Sequence, residues 1–195
     1  MNPILLNLPE EYETERLTIR FPRPGDGTAI QAAFVEAGDH IYKWVPWANP
    51  KLTVEEVEER ARKRLAKVLT RELFWFHTYL KGTSTLVGEA ALHHVEWEVP
   101  KFEIGYYVRP CFEGQGYASE AVEWITRFAF DCLGAQRIEI WCDNRNERSW
   151  RVAERAGFTL EGIMRKQRRD EVDGTLVNKR VYAKIRMDNQ TQQAR

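Results

Sequence analysis

Glu113-Gly114-Gln115-Gly116-Tyr117-Ala118 is the stretch whose reading decides the fold and the chemistry. It stands between a strand-like run, Phe102 to Val108, and an amphipathic run from Gly116 to Leu133. In the second run Ala118, Ala121, Val122, Ile125, Phe128, Ala129, Cys132 and Leu133 form one apolar stripe at helical spacing, and Gly134 stops it. A helix begins with unpaired N–H groups and a partial positive charge. Glycines at that point let the main chain approach an anion such as phosphate without side-chain clash. Two other readings stand beside this one. The glycines also suit an ordinary strand-to-helix turn. A dinucleotide-binding turn fits poorly, because Ser119 stands where the third glycine belongs and no β-α-β unit precedes it.

Upstream, Arg16 to Phe21 reads as a first strand, ended by Pro22, Pro24 and Gly25-Asp26-Gly27. A short helix is expected from about Thr28 to Ala37, then an aromatic loop over Tyr42 to Trp47. Thr53 with Glu56 three residues on predicts a capping box, and Val54, Val57, Ala61, Leu65, Val68 and Leu69 continue as a helix. Phe74 to Leu80, Thr85 to Glu96 and Phe102 to Val108 read as an antiparallel meander. Downstream come a strand, Arg137 to Cys142, and a helix, Arg148 to Ala156, stopped by Gly157. Thr159 to Arg168 and Thr175 to Arg186 close the order as a strand pair around Asp173-Gly174. That order predicts an α+β fold: a mixed, mostly antiparallel sheet of about seven strands with about four helices. One domain over residues 1–195 is expected, with a core from about 14 to 187 and a frayed polar tail over 188–195.

Composition narrows the partners. The 29 basic and 29 acidic residues cancel, so no global field draws nucleic acid or an anionic membrane. No apolar run is long enough to span a bilayer, and Met1 to Arg20 carries four glutamates and no signal-like core. Cys111, Cys132 and Cys142 form no C-x-x-C pair, which fits a reduced cytoplasmic protein. His40, His77, His93 and His94 lack metal-ligand spacing; as strand neighbours, His93 and His94 are expected to face opposite sides, so no metal is expected.

The segments taken together resemble one family. Glu103-Ile104-Gly105-Tyr106-Tyr107-Val108, then Gly114-Gln115-Gly116-Tyr117-Ala118-Ser119-Glu120-Ala121, resembles the cofactor motif of the GNAT acetyltransferases. Asn146-Glu147-Arg148-Ser149, Glu154-Arg155-Ala156-Gly157-Phe158, Leu160-Glu161-Gly162 and Val181-Tyr182-Ala183-Lys184-Ile185 are similar to its later blocks. With Trp44-Val45-Pro46-Trp47, the likeness is to the RimJ/RimL branch, the ribosomal-protein N-terminal acetyltransferases, from about Thr14 to Met187.

The resemblance implies an enzyme passing acetyl from acetyl-coenzyme A to an amine by direct attack in a ternary complex. The diphosphate is then expected on the N–H groups of Gln115, Gly116, Tyr117 and Ala118. Glu113 replaces the family's usual arginine or glutamine, which implies weaker electrostatics there rather than lost binding. The pantetheine arm is expected between the fourth and fifth predicted strands, which splay apart, with a backbone N–H of Tyr107 or Val108 polarising the thioester. Asn146 would bond that arm, or simply cap the following helix. The family's frequent catalytic tyrosine is Ala153 here, so Ser149, one turn earlier, becomes the candidate proton donor. Trp44 and Trp47 would line the acceptor groove, or form a local hydrophobic plug.

No base is evident. Glu89 and Glu103 read as surface or structural carboxylates, and the strand after Gly162 offers Arg165, Lys166, Arg168 and Arg169 before Asp170 and Glu171. The basic cluster reads most simply as a solvated face. A protein α-amino group, pKa about 7.7 to 8, needs little help to deprotonate, whereas lysine at about 10.4 needs more. The expected acceptor is therefore a protein N-terminus; a small amine such as a polyamine, antibiotic or amino acid is the alternative, and a non-catalytic acyl-coenzyme A sensor the rival from another class. A monomer or homodimer is expected, acting on no nucleic acid or membrane.

Overall fold

The computed structural model describes residues 2–170 and 172–186; Met1, Glu171, Met187 and the tail 188–195 lie outside the described residues. Eight strands form one sheet: β1 (Glu11–Glu13), β2 (Leu17–Arg20), β3 (Phe74–Leu80), β4 (Leu86–Glu96), β5 (Lys101–Val108), β6 (Arg137–Asp143), β7 (Thr159–Arg169) and β8 (Leu176–Ile185). Their order is β1-β2-β3-β4-β5-β6-β8-β7, antiparallel except for the β5–β6 pair. The expected α+β class holds. The additional strand is β1, too short to show an alternating pattern. Its Tyr12 packs against Phe21, Phe76, Trp124 and Phe128, so tertiary contact holds it in the sheet.

Among the described residues four α-helices cover the two faces: α1 (Gly27–Tyr42), α2 (Val54–Leu69), α3 (Tyr117–Asp131) and α4 (Glu147–Arg155). The apolar stripe of α3 and Val152 and Ala153 of α4 pack with Leu17, Phe76, Ile104, Ile138 and Ile140. Ile30, Ala33, Phe34 and Val57 of α1 and α2 pack with Tyr79, Leu86 and Tyr107. Sheet alternation thus sends odd and even residues of β5 to different helical layers. The α2 capping box forms as expected, Thr53 and Glu56 exchanging bonds of 2.8 and 3.2 Å. Helix α1 outruns its expected end at Ala37: Gly38, at φ 50 and ψ −151, kinks it, and the chain resumes to Tyr42.

Parallel strands need a crossover, and α3 supplies it between β5 and β6. Their register runs only through Lys101↔Arg137, Phe102↔Ile138 and Glu103↔Glu139. From Ile104 to Val108, β5 has no ladder partner on that side among the described residues. The sheet is therefore open between β5 and β6 at the end where the chain leaves β5 for the glycine turn.

Candidate active site

Gly116 is the N-cap of α3 at φ 87 and ψ −5, with no side-chain cap; Gly114 is also left-handed at φ 73. Consecutive turns of this kind aim backbone N–H groups into one concavity. The first ladder bond of α3 is Glu120 N–H to Gly116 O, 3.0 Å. Among the described residues, the N–H groups of Gln115, Gly116, Tyr117 and Ala118 meet no protein acceptor. They are the four donors that the sequence singles out, and they fit an anionic diphosphate.

A clamp absent from the sequence reading holds this turn. Glu120 accepts from Thr14 Oγ1 at 2.6 Å, Arg16 N at 2.9 Å and Arg16 Nε at 2.7 Å. Arg16 Nη1 also donates to Gln115 O at 2.9 Å, and its guanidinium covers the Tyr117 ring at 4.4 Å. The strand entry and the turn are thereby one unit. The Glu113 carboxylate is engaged by His40 at 3.0 Å and by Arg148, so its charge is compensated beside the turn.

Arg109 N–H donates to Val87 O at 2.8 Å. Alternation along β5 then turns the Val108 N–H away from β4, toward the opening, and the Tyr107 N–H back toward β4. Of the two expected donors, Val108 is the one that faces the gap. The Tyr107 side chain lies on the opposite layer, its ring 6.0 Å from Phe34. Ser149 Oγ lies 3.0 Å from Tyr106 Oη, which also donates to Ser149 O at 3.0 Å. Burial pushes the Tyr106 phenol up, so it stays protonated at neutral pH and anchors the serine. Asn146 Oδ1 accepts from Ser149 N at 3.2 Å, making Asn146 the cap of α4, while its amide NH2 has no partner among the described residues. Ala153 is fully buried, so no hydroxyl substitutes there. Cys142 is buried nearby, and burial pushes its thiol up to about 11.

The opposite face of β5 and β6 bears a cavity of about 440 Å³ lined by His94, Glu103, Glu139, Trp141, Arg168 and Lys179, among others. Burial raises the Glu103 carboxyl and lowers the Lys179 ammonium. Glu139 is saturated by Trp141 Nε1 and Arg137 Nε, both 2.7 Å away. His93 and His94 do not face opposite sides as expected. The register breaks between His93 and Glu96, and His94 adopts φ 48, which swings its ring back beside its neighbour. Their Nδ1 atoms lie 3.2 Å apart, and His94 Nδ1 meets Glu103 Oε2 at 2.7 Å.

The two loop tryptophans separate. Trp47 packs on Trp75 and His93, with ring centroids at 5.4 and 6.5 Å, and its Cη2 lies 2.8 Å from where a Cβ on Gly105 would stand. Trp47 is a wedge that only a glycine opposite permits. Trp44 sits between cations, Lys43 at 4.7 Å and Arg145 at 5.6 Å. Neither lines the cavity. Of the basic cluster, Arg165, Lys166 and Arg169 are exposed as expected, while Arg168 donates to Lys43 O at 3.2 Å and lines the cavity. Asp170 is clasped by Arg145 at 2.6 Å and by Val172 N–H, which keep it ionised below its ordinary range. It is a structural anion.

A comparison with family models matches residues 16–159 to the acetyltransferase (GNAT) domain. The chain belongs to the GNAT acetyltransferase family. This GNAT enzyme is an N-acetyltransferase, and acetyl-coenzyme A is its acyl donor. It is 29% identical over 168 residues, 84% of this chain and 85% of the other, to the putative ribosomal N-acetyltransferase YdaF of Bacillus subtilis. The ribosomal-protein-S5-alanine acetyltransferase of Vibrio fischeri shares its fold, with TM-score 0.80, 21% identity and coverage of 91% and 97% of the two chains. The microcin C7 self-immunity acetyltransferase MccE, solved with acetyl-CoA and AMP, gives TM-score 0.81, 18% identity and coverage of 89% and 94%. No described helix of the GNAT chain is long and apolar enough to cross a membrane.

Proposed function

We propose that this GNAT enzyme acetylates the N-terminal α-amino group of a protein, a ribosomal protein first among them, by direct attack in a ternary complex. The charge balance of the cavity carries this reading. Its lining carries three carboxylates, Glu96, Glu103 and Glu139, and three cations, Lys101, Arg168 and Lys179. A polyamine site would be uniformly acidic, whereas a peptide end brings a single ammonium followed by neutral amides. The similarity to YdaF and to the Vibrio fischeri enzyme favours the same class.

The N–H groups of Gln115, Gly116, Tyr117 and Ala118 hold the diphosphate, with Arg16 and Glu120 fixing their direction. Asn146, through its unpaired amide, and Val108, through its N–H, face the pantetheine side of the gap. Acetyl-CoA supplies an acyl group already activated as a thioester. The Val108 N–H donates toward the acyl oxygen as negative charge develops there. Glu103, its affinity for protons raised by burial, takes the amine proton, and exposed His94 passes it to solvent. Ser149, held by Tyr106, donates a proton to the departing sulfur. Trp47 supports the acceptor wall indirectly through His93, and Trp44 adjoins Lys43, whose carbonyl holds Arg168.

A small amine is the second reading, favoured by a cavity of about 440 Å³, a volume that also suits small ligands. Mass spectrometry of a peptide panel separates the two. Peptides with free N-termini should gain one acetyl group each, while the same peptides blocked at the terminus but carrying internal lysine should gain none. Acetylation of spermidine, aminoglycosides or free amino acids in preference to every peptide would reverse the assignment.

A further inference from the structure

We propose that His93, His94 and Glu103 form a binding site for a zinc-class divalent ion at the wall of the acceptor cavity. Candidate ligand atoms of the three residues all lie within 4.8 Å of one another. The two Nδ1 atoms stand 3.2 Å apart and His94 Nδ1 is 2.7 Å from Glu103 Oε2. Zinc bonds to imidazole nitrogen run about 2.0 to 2.1 Å, so tetrahedral neighbours are separated by about 3.3 Å, and the observed nitrogen pair matches that edge. Two imidazoles and a carboxylate are a borderline-soft set that suits zinc rather than magnesium or calcium. The side chain of His94 is 75% exposed, which leaves a fourth position to water.

The backbone is bent for this arrangement. A regular strand would send the two rings to opposite faces, and an ion pair with Glu103 needs only one of them. Here the break in register and the left-handed His94, uncommon for a residue with a Cβ, bring the second ring alongside the first. Gly105 makes the remaining room: a Cβ there would fall 2.9 Å from His93 Nε2. Burial also lowers the His93 imidazole to about 4, so its lone pair is available at neutral pH. Lys179, which lines the same cavity and is itself lowered by burial, adds a positive charge that acts on His93.

An ion held there occupies the Glu103 lone pair and places positive charge where an ammonium must arrive, so it inhibits transfer. The binding itself does not depend on the proposed acceptor and is measured without either substrate. Isothermal titration of the full chain, free of any affinity tag, with zinc chloride should give one saturable site. Affinity should fall in acid, where protons compete with the metal for the ligand set. His94→Asn keeps a residue that tolerates the left-handed backbone but lacks the imidazole, and should weaken binding about tenfold or more. Cobalt in place of zinc should give the intense visible bands of a four-coordinate ion, absent in His94→Asn. Failure to saturate at one ion per chain, or equal affinity in wild type, His94→Asn and Glu103→Gln, overturns the site. Peptide acetylation in chelator-treated buffer would be untouched by that failure.

Discussion

Two carboxylates stand on the same face of neighbouring strands and live in opposite electrostatic worlds. Glu89 on β4 is 1% exposed, yet Trp75 Nε1 donates to it at 3.0 Å, Arg64 Nη1 reaches it at 3.4 Å and His77 Nε2 lies at 3.2 Å, too poorly aligned for a full hydrogen bond. Burial alone would raise its pKa, but Arg64, His77 and Trp75 outweigh that and hold it below the ordinary range. Glu103 on β5 is less buried, yet burial raises its pKa, because His94 and Lys179 do not offset that burial and Glu139 adds to it. Partners, not depth, decide which carboxylate stores a charge and which can exchange a proton.

The most severe way to break the comparison is Glu89→Ala. It strands Arg64 and His77 in the interior, and urea unfolding should show a loss of about 3 to 5 kcal/mol. Glu103→Gln should do the reverse. Its unfolding midpoint should stay near wild type, while kcat/KM for a peptide amine falls about a hundredfold and the acid limb of its pH profile flattens. A matching loss of stability in both variants would erase the distinction. Ser149→Ala is smaller, about tenfold in kcat, because a thiolate with pKa about 8.5 already leaves readily. Its affinity for coenzyme A, read by calorimetry, should not change; an unaltered kcat would leave Ser149 a helix residue only.

The mildest test is pH. His77 sits between Asp26 at 2.9 Å and Glu89, with Arg20 and Arg64 as the facing cations. Burial opposes its charge, but the two carboxylates raise its pKa above the ordinary 6.5. Its contribution to stability is therefore complete below pH 6.5 and fades as pH rises through the higher folded value. Asp26 runs the other way: Arg20, His77 and the Arg23 N–H hold it far below 3.8, so its contribution fades only in acid. Unfolding curves from pH 5 to 9 should decline on the alkaline side, and His77→Gln should flatten that decline.

Much of the site was legible because it is made of local main chain. The Gly114-Gln115-Gly116 turn, the α3 stripe and the Asn146–Ser149 cap each depend on spacings within a few residues. What escaped depends on meetings across the chain. Glu120 meets Thr14 and Arg16 from more than a hundred residues away in the chain. The parting of β5 from β6 and the docking of α4 place the Tyr106 hydroxyl on Ser149. His93 and His94 were misread because a strict two-residue period was assumed where the ladder breaks.

By itself the sequence determined the α+β order, the anion-ready head of α3 and the lack of a tyrosine at Ala153, since periodicity, glycine dihedrals and residue identity act at short range. Only the tertiary structure decided that Val108 rather than Tyr107 faces the gap, that Glu89 is held ionised by its partners while burial raises Glu103, and that two adjacent imidazoles share one carboxylate. Those outcomes follow from strand register and from which charges packing brings within a few ångströms. No local pattern encodes either.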